Sequence, residues 1–321
     1  MQKILTGLAT LTLISVSAMA LSVPENHIVD DAWLKSHIND KSLVIVDVRK
    51  KGYAKEHIKG AVEWKSKDFR EGRYRNKNSE QAMIPGYVAA PLTIERTMQK
   101  SGVDNNSTIV FYSDGVKGKD FRDSALADFT CEYYGFDNVA ILDGGFAGWK
   151  KANGEIDNEK PEIEKGDFTL KGRVFNQTIM ATGEDVDEAI WTGNSQTLDS
   201  NGKQEKTKNE EKGSHWYGTA KDPRRLKEGH LPNAKALHPK VLSVKKDGVY
   251  YLGDKNLVES KFKEAGVDIT KPLISYCNTG HLAAATWFAG KYIIGMGDKS
   301  KMYSGSMAEY TRWSKRKLIK N

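Results

Sequence analysis

Short apolar runs, each closed by a polar residue, recur along both halves of the chain. Leu43-Val-Ile-Val-Asp-Val-Arg49, Ser107-Thr-Ile-Val-Phe-Tyr-Ser113 and Val139-Ala-Ile-Leu-Asp143 punctuate the first half, and Gln196-Thr-Leu-Asp199 and Pro272-Leu-Ile-Ser-Tyr-Cys277 the second. Runs this short, without apolar–polar alternation, predict strands buried on both faces, as in a parallel sheet. Stretches of helical apolar spacing, such as residues 120–134, fall between them. The pattern therefore predicts βαβ units with helices on both faces of a mostly parallel sheet.

The two halves share a frame. His57-Ile-Lys-Gly-Ala61 matches His230-Leu-Pro-Asn-Ala234, and aligning Tyr112 with Tyr276 sets Ser113 opposite Cys277. Val139–Trp149 then falls against Met302–Tyr310. Self-similarity of this kind marks a duplicated unit. The expected organisation is one α/β domain over residues 21–154, a polar connector over 155–166 and a second α/β domain over 167–321.

The chemistry concentrates where the strand Leu273–Tyr276 gives way to the helix-forming Ala283-Ala-Ala-Thr-Trp-Phe-Ala289. Between them lies a loop, residues 277–282, that opens on Cys277 and contains a glycine free to adopt positive φ. A thiol there faces backbone N–H groups and the positive end of the following helix, and both favour thiolate. Cys277 is thus expected to be a nucleophile of lowered pKa. The other cysteine, Cys131, lies in a helix-like stretch and reads as core, and a Cys131–Cys277 disulfide would consume the nucleophile. His57 and His230 recur in both halves, including the one without a cysteine, which points to structural hydrogen bonds. No His/Cys/Asp spacing suits a metal.

Composition changes the picture in one respect. With 39% hydrophobic and 28% charged residues the chain is globular, and its formal charge of +7 is spread without a dense basic block, so no nucleic-acid partner is expected. The start is different: Lys3, an apolar or small-residue core over residues 4–17, and Ala18-Met19-Ala20 predict a signal peptide over residues 1–20, cleaved after Ala20. That core is shorter than the ~20 residues that span a bilayer. The mature protein is expected to be exported to a periplasm, without stable membrane insertion.

Tyr276-Cys-Asn-Thr-Gly-His281, Val46-Asp-Val-Arg49, the paired His-Ile/Leu-x-x-Ala segments and Leu142-Asp-Gly-Gly-Phe-x-x-Trp149 resemble the motifs of the rhodanese family of sulfurtransferases in its tandem-domain form. The resemblance covers nearly the whole mature chain and implies two rhodanese-like domains, the first lacking the catalytic cysteine. It implies that Cys277 carries a persulfide, with no other cofactor and no metal. Asn278, Thr279, Gly280, His281, Leu282 and Ala283 would form the cradle of that sulfur, Thr279 adding a hydroxyl or capping the next helix. A small anionic donor such as thiosulfate would supply sulfur, and a thiol, cyanide or protein thiol would accept it. Tandem members place arginines after the acid at Asp199, whereas Ser200-Asn-Gly-Lys-Gln-Glu-Lys206 has none. His281, Lys203, Lys206, Arg224 and Arg225 are the candidate substrate-binding residues. Cys-dependent phosphatases on this fold need an arginine where Ala283 stands, which argues against phosphatase chemistry. The non-enzymatic alternative is a periplasmic carrier that delivers persulfide sulfur to a protein partner.

Overall fold

Two five-stranded parallel sheets with the same internal order build the molecule, in a computed structural model that describes residues 21–74, 83–202, 216–218, 222–313 and 315–320. The first sheet runs Ile28–Val29, Val139–Leu142, Thr108–Tyr112, Leu43–Asp47, Val62–Glu63. The second runs Met180–Ala181, Ser300–Tyr303, Leu273–Tyr276, Gln196–Asp199, Lys235–Ala236. Matching register pairs, Asp47 with Tyr112 and Asp199 with Tyr276, confirm the frame of the repeat. The central strands Thr108–Tyr112 and Leu273–Tyr276 are buried at every residue, which is why their sequences are apolar without alternation. The expected signal peptide and the candidates Lys203 and Lys206 lie outside the described residues.

His57 and His230 repeat each other. Their Nδ1 atoms bond the carbonyls of Tyr53 (2.8 Å) and Trp216 (2.9 Å), and their rings stack on those same residues. Cys131 and Cys277 are both buried and free of disulfide. Burial pushes the Cys131 thiol up, away from reactivity.

The chain leaves the first domain later than its composition suggests. Ile156–Asp157 pairs antiparallel with His57–Ile58, and Phe168 is buried in the first domain's core against Phe136. A polar connector can still be held if its few apolar residues find a groove and its backbone finds partners, as Gly166 N–H does at the Gln99 carbonyl.

One apolar core runs across the domain boundary. It joins Phe129 and Ala127 of the helix Arg122–Tyr133 to Ala283, Ala284, Trp287 and Phe288 of the helix His281–Phe288. Phe129 meets Trp287 edge-on at 4.8 Å, a contact of about 0.5–1.5 kcal/mol beyond its area. Each domain also lends a hairpin to the other. Arg70–Tyr74 with Met83–Val88 from the first domain lies over the second domain's 277–280 loop. Ser243–Lys246 with Val249–Leu252 from the second lies over the first domain's 113–118 loop. This reciprocal cover fixes the environment of Cys277.

Candidate active site

The strand Leu273–Tyr276 delivers Cys277 to the start of its loop, and the surrounding backbone is tied in a selective way. The carbonyl of Cys277 accepts from Met307 N–H (3.0 Å) and that of Asn278 from Ala308 N–H (2.8 Å). The Cys277 N–H donates to Ser306 Oγ (3.2 Å). Ser306 holds that position with φ of 49°, a strained conformation for a residue with a side chain. Gly280 turns the chain into the helix with φ of 79°, and a Cβ there would meet the Ser304 carbonyl at 2.7 Å. Only glycine fits. Carbonyls are thus consumed. The N–H groups of Asn278 to Leu282 find no acceptor among the described residues, as expected for a loop entering a helix. A ring of open donors around a sulfur atom suits an anion.

The first domain contributes a cation that is electrostatically coupled to Cys277. Arg70 reaches across to donate to the Thr279 carbonyl, and Gly86 beside it has no room for a side chain, since a Cβ would meet the same carbonyl at 2.4 Å. Burial lowers the Arg70 guanidinium to about 10, opposed by the charges of Cys277 and Asp123. It therefore stays charged at neutral pH. Arg224 is the second cation within electrostatic reach of Cys277. Its Nε donates to Asp222 Oδ1 at 2.7 Å, and this bond, against some burial, raises its pKa. Its side chain remains half exposed and so open to solutes.

The other expected site residues fall into separate roles. Arg225 does not open toward the site. It is buried, and its guanidinium is spent on Asn278 Oδ1 (3.3 Å) and the carbonyls of Gly229 and Lys227. Asn278 likewise turns inward, donating to Asp222 Oδ2 at 2.9 Å. Both hold the loop from behind. Thr279 is buried, and the helix cap falls on Gly280 with no side-chain cap bond, so the expected Thr279 cap is absent. Leu282 packs on the interdomain core and Ala283 is buried within it.

His281 binds the other domain: its Nε2 pairs with Asp123 Oδ1 on the helix Arg122–Tyr133. Burial lowers the imidazole from its ordinary value, and Arg70 and Arg122 push the same way against Asp123. Burial alone would raise Asp123, but the His281 hydrogen bond, with Arg122 and Lys50, holds its carboxyl below the usual range. Arg70, Arg122 and Asp123 were not legible as site residues. They lie in the domain without the cysteine, and only the reciprocal packing brings them to it.

Known proteins share the two-domain organisation. The Rhodanese-like domain family matches residues 30–152 and again 182–312. A protein of Synechococcus elongatus provisionally named a thiosulfate sulfurtransferase is 27% identical over 92% of this chain and 85% of its own length. The 3-mercaptopyruvate sulfurtransferase of Escherichia coli K12 is 23% identical over 80% of this chain and 85% of its own. Among solved structures, the 3-mercaptopyruvate enzyme SseA of Escherichia coli superposes with a TM-score of 0.69 at 22% identity, covering 90% of this chain and 99% of that one. The anaerobic ergothioneine biosynthesis enzyme of Chlorobium limicola superposes at 0.69 and 15% identity, over 92% of this chain and 70% of that one. The chain belongs to the rhodanese family, as two tandem rhodanese domains. The two relatives named above carry sulfurtransferase names.

Proposed function

We propose that this protein is a sulfurtransferase that moves sulfane sulfur from a small anionic donor, thiosulfate or a relative of it, through a persulfide on Cys277. The thiolate of Cys277 attacks the outer sulfur of thiosulfate. The donor's S–S bond breaks, and sulfite leaves with the electron pair. A thiophilic acceptor then attacks the outer sulfur of the persulfide, and the S–S pair returns to Sγ as thiolate. Both anions, the donor and the persulfide, need the same surroundings: hydrogen-bond donors and positive charge. The observation that carries this reading is the loop of open N–H groups beside Cys277, with Arg70 and Arg224 electrostatically coupled to its sulfur.

Intact mass of the protein before and after thiosulfate tests it. A cyanide-labile gain of about 32 Da, the mass of one sulfur, is expected in the wild type and not in Cys277→Ser. No gain with thiosulfate, mercaptopyruvate or polysulfide would sink the persulfide reading.

A second reading, a carrier that hands its sulfur to a protein thiol, draws on an apolar rim next to Arg224. Met83, Leu226 and Trp313 are 50%, 56% and 38% exposed, and Arg312 ties their segments together by donating to the carbonyls of Met83 and Arg224. Scattered exposed apolar residues are ordinary, but a cluster beside a reactive group suits a partner. A carrier would form the persulfide yet turn over poorly with cyanide, which separates the two readings. We further propose export, with residues 1–20 removed. The protein recovered from its native cells should begin at Leu21, and an intact Met1 start there would refute this.

A further inference from the structure

We propose that His281, held by Asp123 of the opposite domain, is the base that takes the proton from an incoming thiol, and that the sulfur acceptor is therefore a thiol. This rests on the persulfide reading above. An ionised carboxylate can only accept, so Asp123 Oδ1 fixes the imidazole hydrogen on Nε2 and leaves the lone pair on Nδ1. Among the described residues nothing bonds Nδ1. The side chain is 21% exposed. Its surroundings are charged on each packed side: Asp123 and Arg122 from the first domain's helix, Arg70 from its hairpin. Arg70 is also the cation that feels Cys277, so imidazole and sulfur share one neighbour. With its affinity for a proton lowered by burial and by the two arginines, the ring is neutral, and so able to accept, at neutral pH.

The two half-reactions differ in their need for a base. Loading from thiosulfate moves no proton, because a thiolate attacks and sulfite leaves as an anion. Discharge to a thiol does: R–SH gives its proton to His281 Nδ1, the resulting thiolate forms R–S–S⁻ by taking the outer sulfur, and the S–S electron pair returns to Cys277. The imidazolium then loses its proton to solvent. An ordinary thiol, with a pKa of about 8.5, is only a few per cent thiolate at pH 7. Supplying the missing fraction is worth about thirty-fold. Sulfite, already ionised to a large extent at pH 7, gains little from a base and serves as the internal control.

The test loads the persulfide first, verifies it by intact mass, and compares discharge by a small thiol with discharge by sulfite in the same sample. In His281→Gln, whose amide can still donate to Asp123, the thiol-to-sulfite rate ratio should fall about ten- to thirty-fold at pH 7. The defect should close as pH rises past the acceptor's own pKa. Asp123→Asn should lower the same ratio at least three-fold, since its amide can offer an N–H to Nε2 and favour the wrong tautomer. If His281→Gln loads too little sulfur to measure, Asp123→Asn reads the same ratio. A ratio within two-fold of wild type, or a defect that persists unchanged at pH 10, overturns the proposal. Failure of the wild type to load any sulfur would instead overturn the persulfide reading beneath it.

Discussion

The loops after the two central strands begin as copies and end as opposites. The Ser113 carbonyl accepts from Phe146 N–H at 2.8 Å, and the Cys277 carbonyl from Met307 N–H at 3.0 Å. The next carbonyls do the same: Asp114 with Ala147, Asn278 with Ala308. Beyond that point they part. In the first loop the Asp120 carboxylate accepts the N–H groups of Val116 and Lys117, at 3.1 and 2.8 Å. The covering hairpin donates to two further carbonyls, from Tyr250 N–H to Gly115 and from Ser243 Oγ to Gly118. In the second loop no acid of its own fills the donors, and the covering hairpin brings Arg70. The first copy carries an internal anion. The second is left short of one. Chemistry on this backbone is decided by what remains unpaired, since a shared strand–loop–helix path is compatible with both outcomes.

Exchanging the residues at the two loop starts gives the largest expected effect. Cys277→Ser should lower turnover at least about a thousand-fold, as removal of a covalent nucleophile does. Adding Ser113→Cys should not restore it: a thiolate at that position would compete with the Asp120 carboxylate for the same donors. Adding Asp120→Asn to that pair tests whether the acid is the obstacle. Intact mass after thiosulfate reads all three, and a sulfur gain in Ser113→Cys/Cys277→Ser with Asp120 intact would show that the first loop is not closed by its own anion.

A smaller effect is expected from the cation that only the second loop receives. Arg70→Met removes a buried charge and its bond to the Thr279 carbonyl. At about 2–3 kcal/mol for a charged hydrogen-bonding group, loading should slow about thirty- to a hundred-and-sixty-fold at low donor concentration. Arg70→Lys, keeping charge but not the fork, should lose less. A change under three-fold in Arg70→Met would mean that the loop's N–H groups suffice alone.

How far the sequence carried differs between fold and site. Cys277, the strand before it and the repeat frame were all legible, because apolar runs and the Tyr112/Tyr276 alignment are local signals. The two hairpins were not anticipated, although Asp247-Gly248 between Ser243–Lys246 and Val249–Leu252 is a recognisable turn pair. Missing them hid Arg70. Arg225 is a second case: it stands beside Arg224 in the sequence, yet its guanidinium is buried against Asn278, whereas that of Arg224 is half exposed and paired with Asp222. Adjacent residues diverge because direction is set by tertiary packing, which spacing does not encode. Asp123 was missed for the converse reason, since its partner lies 158 residues away.

The smallest expected effect concerns the helices that follow the two loops. The second, His281–Phe288, is almost wholly apolar after its first turn, whereas the first, Arg122–Tyr133, carries Asp123, Asp128 and Glu132 in buried positions. Each of these acids is partnered from outside its helix. Asp128 Oδ2 bonds His27 Nδ1 at 3.0 Å, His27 stacks on Tyr292 at 4.1 Å, and Tyr292 and Lys291 both bond Glu132. Burial opposes a charge on His27, but Asp128 and Glu132 outweigh it and hold its pKa above the ordinary value. Burial raises Asp128 to about 6. Both folded values are raised, so both contributions have one sign. The His27 term is fully present below its unfolded pKa of about 6.5 and is lost as pH rises through the folded value. The Asp128 term is lost earlier, between its ordinary range and about 6. The advantage of wild type over His27→Gln in thermal midpoint should therefore be larger at pH 6 than at pH 8, by a degree or two for a sub-kilocalorie term. The same difference should vanish in Asp128→Asn. An advantage that grew with pH would mean that His27 packs against Tyr292 as a neutral ring, and that the first helix holds its acids without help from a proton.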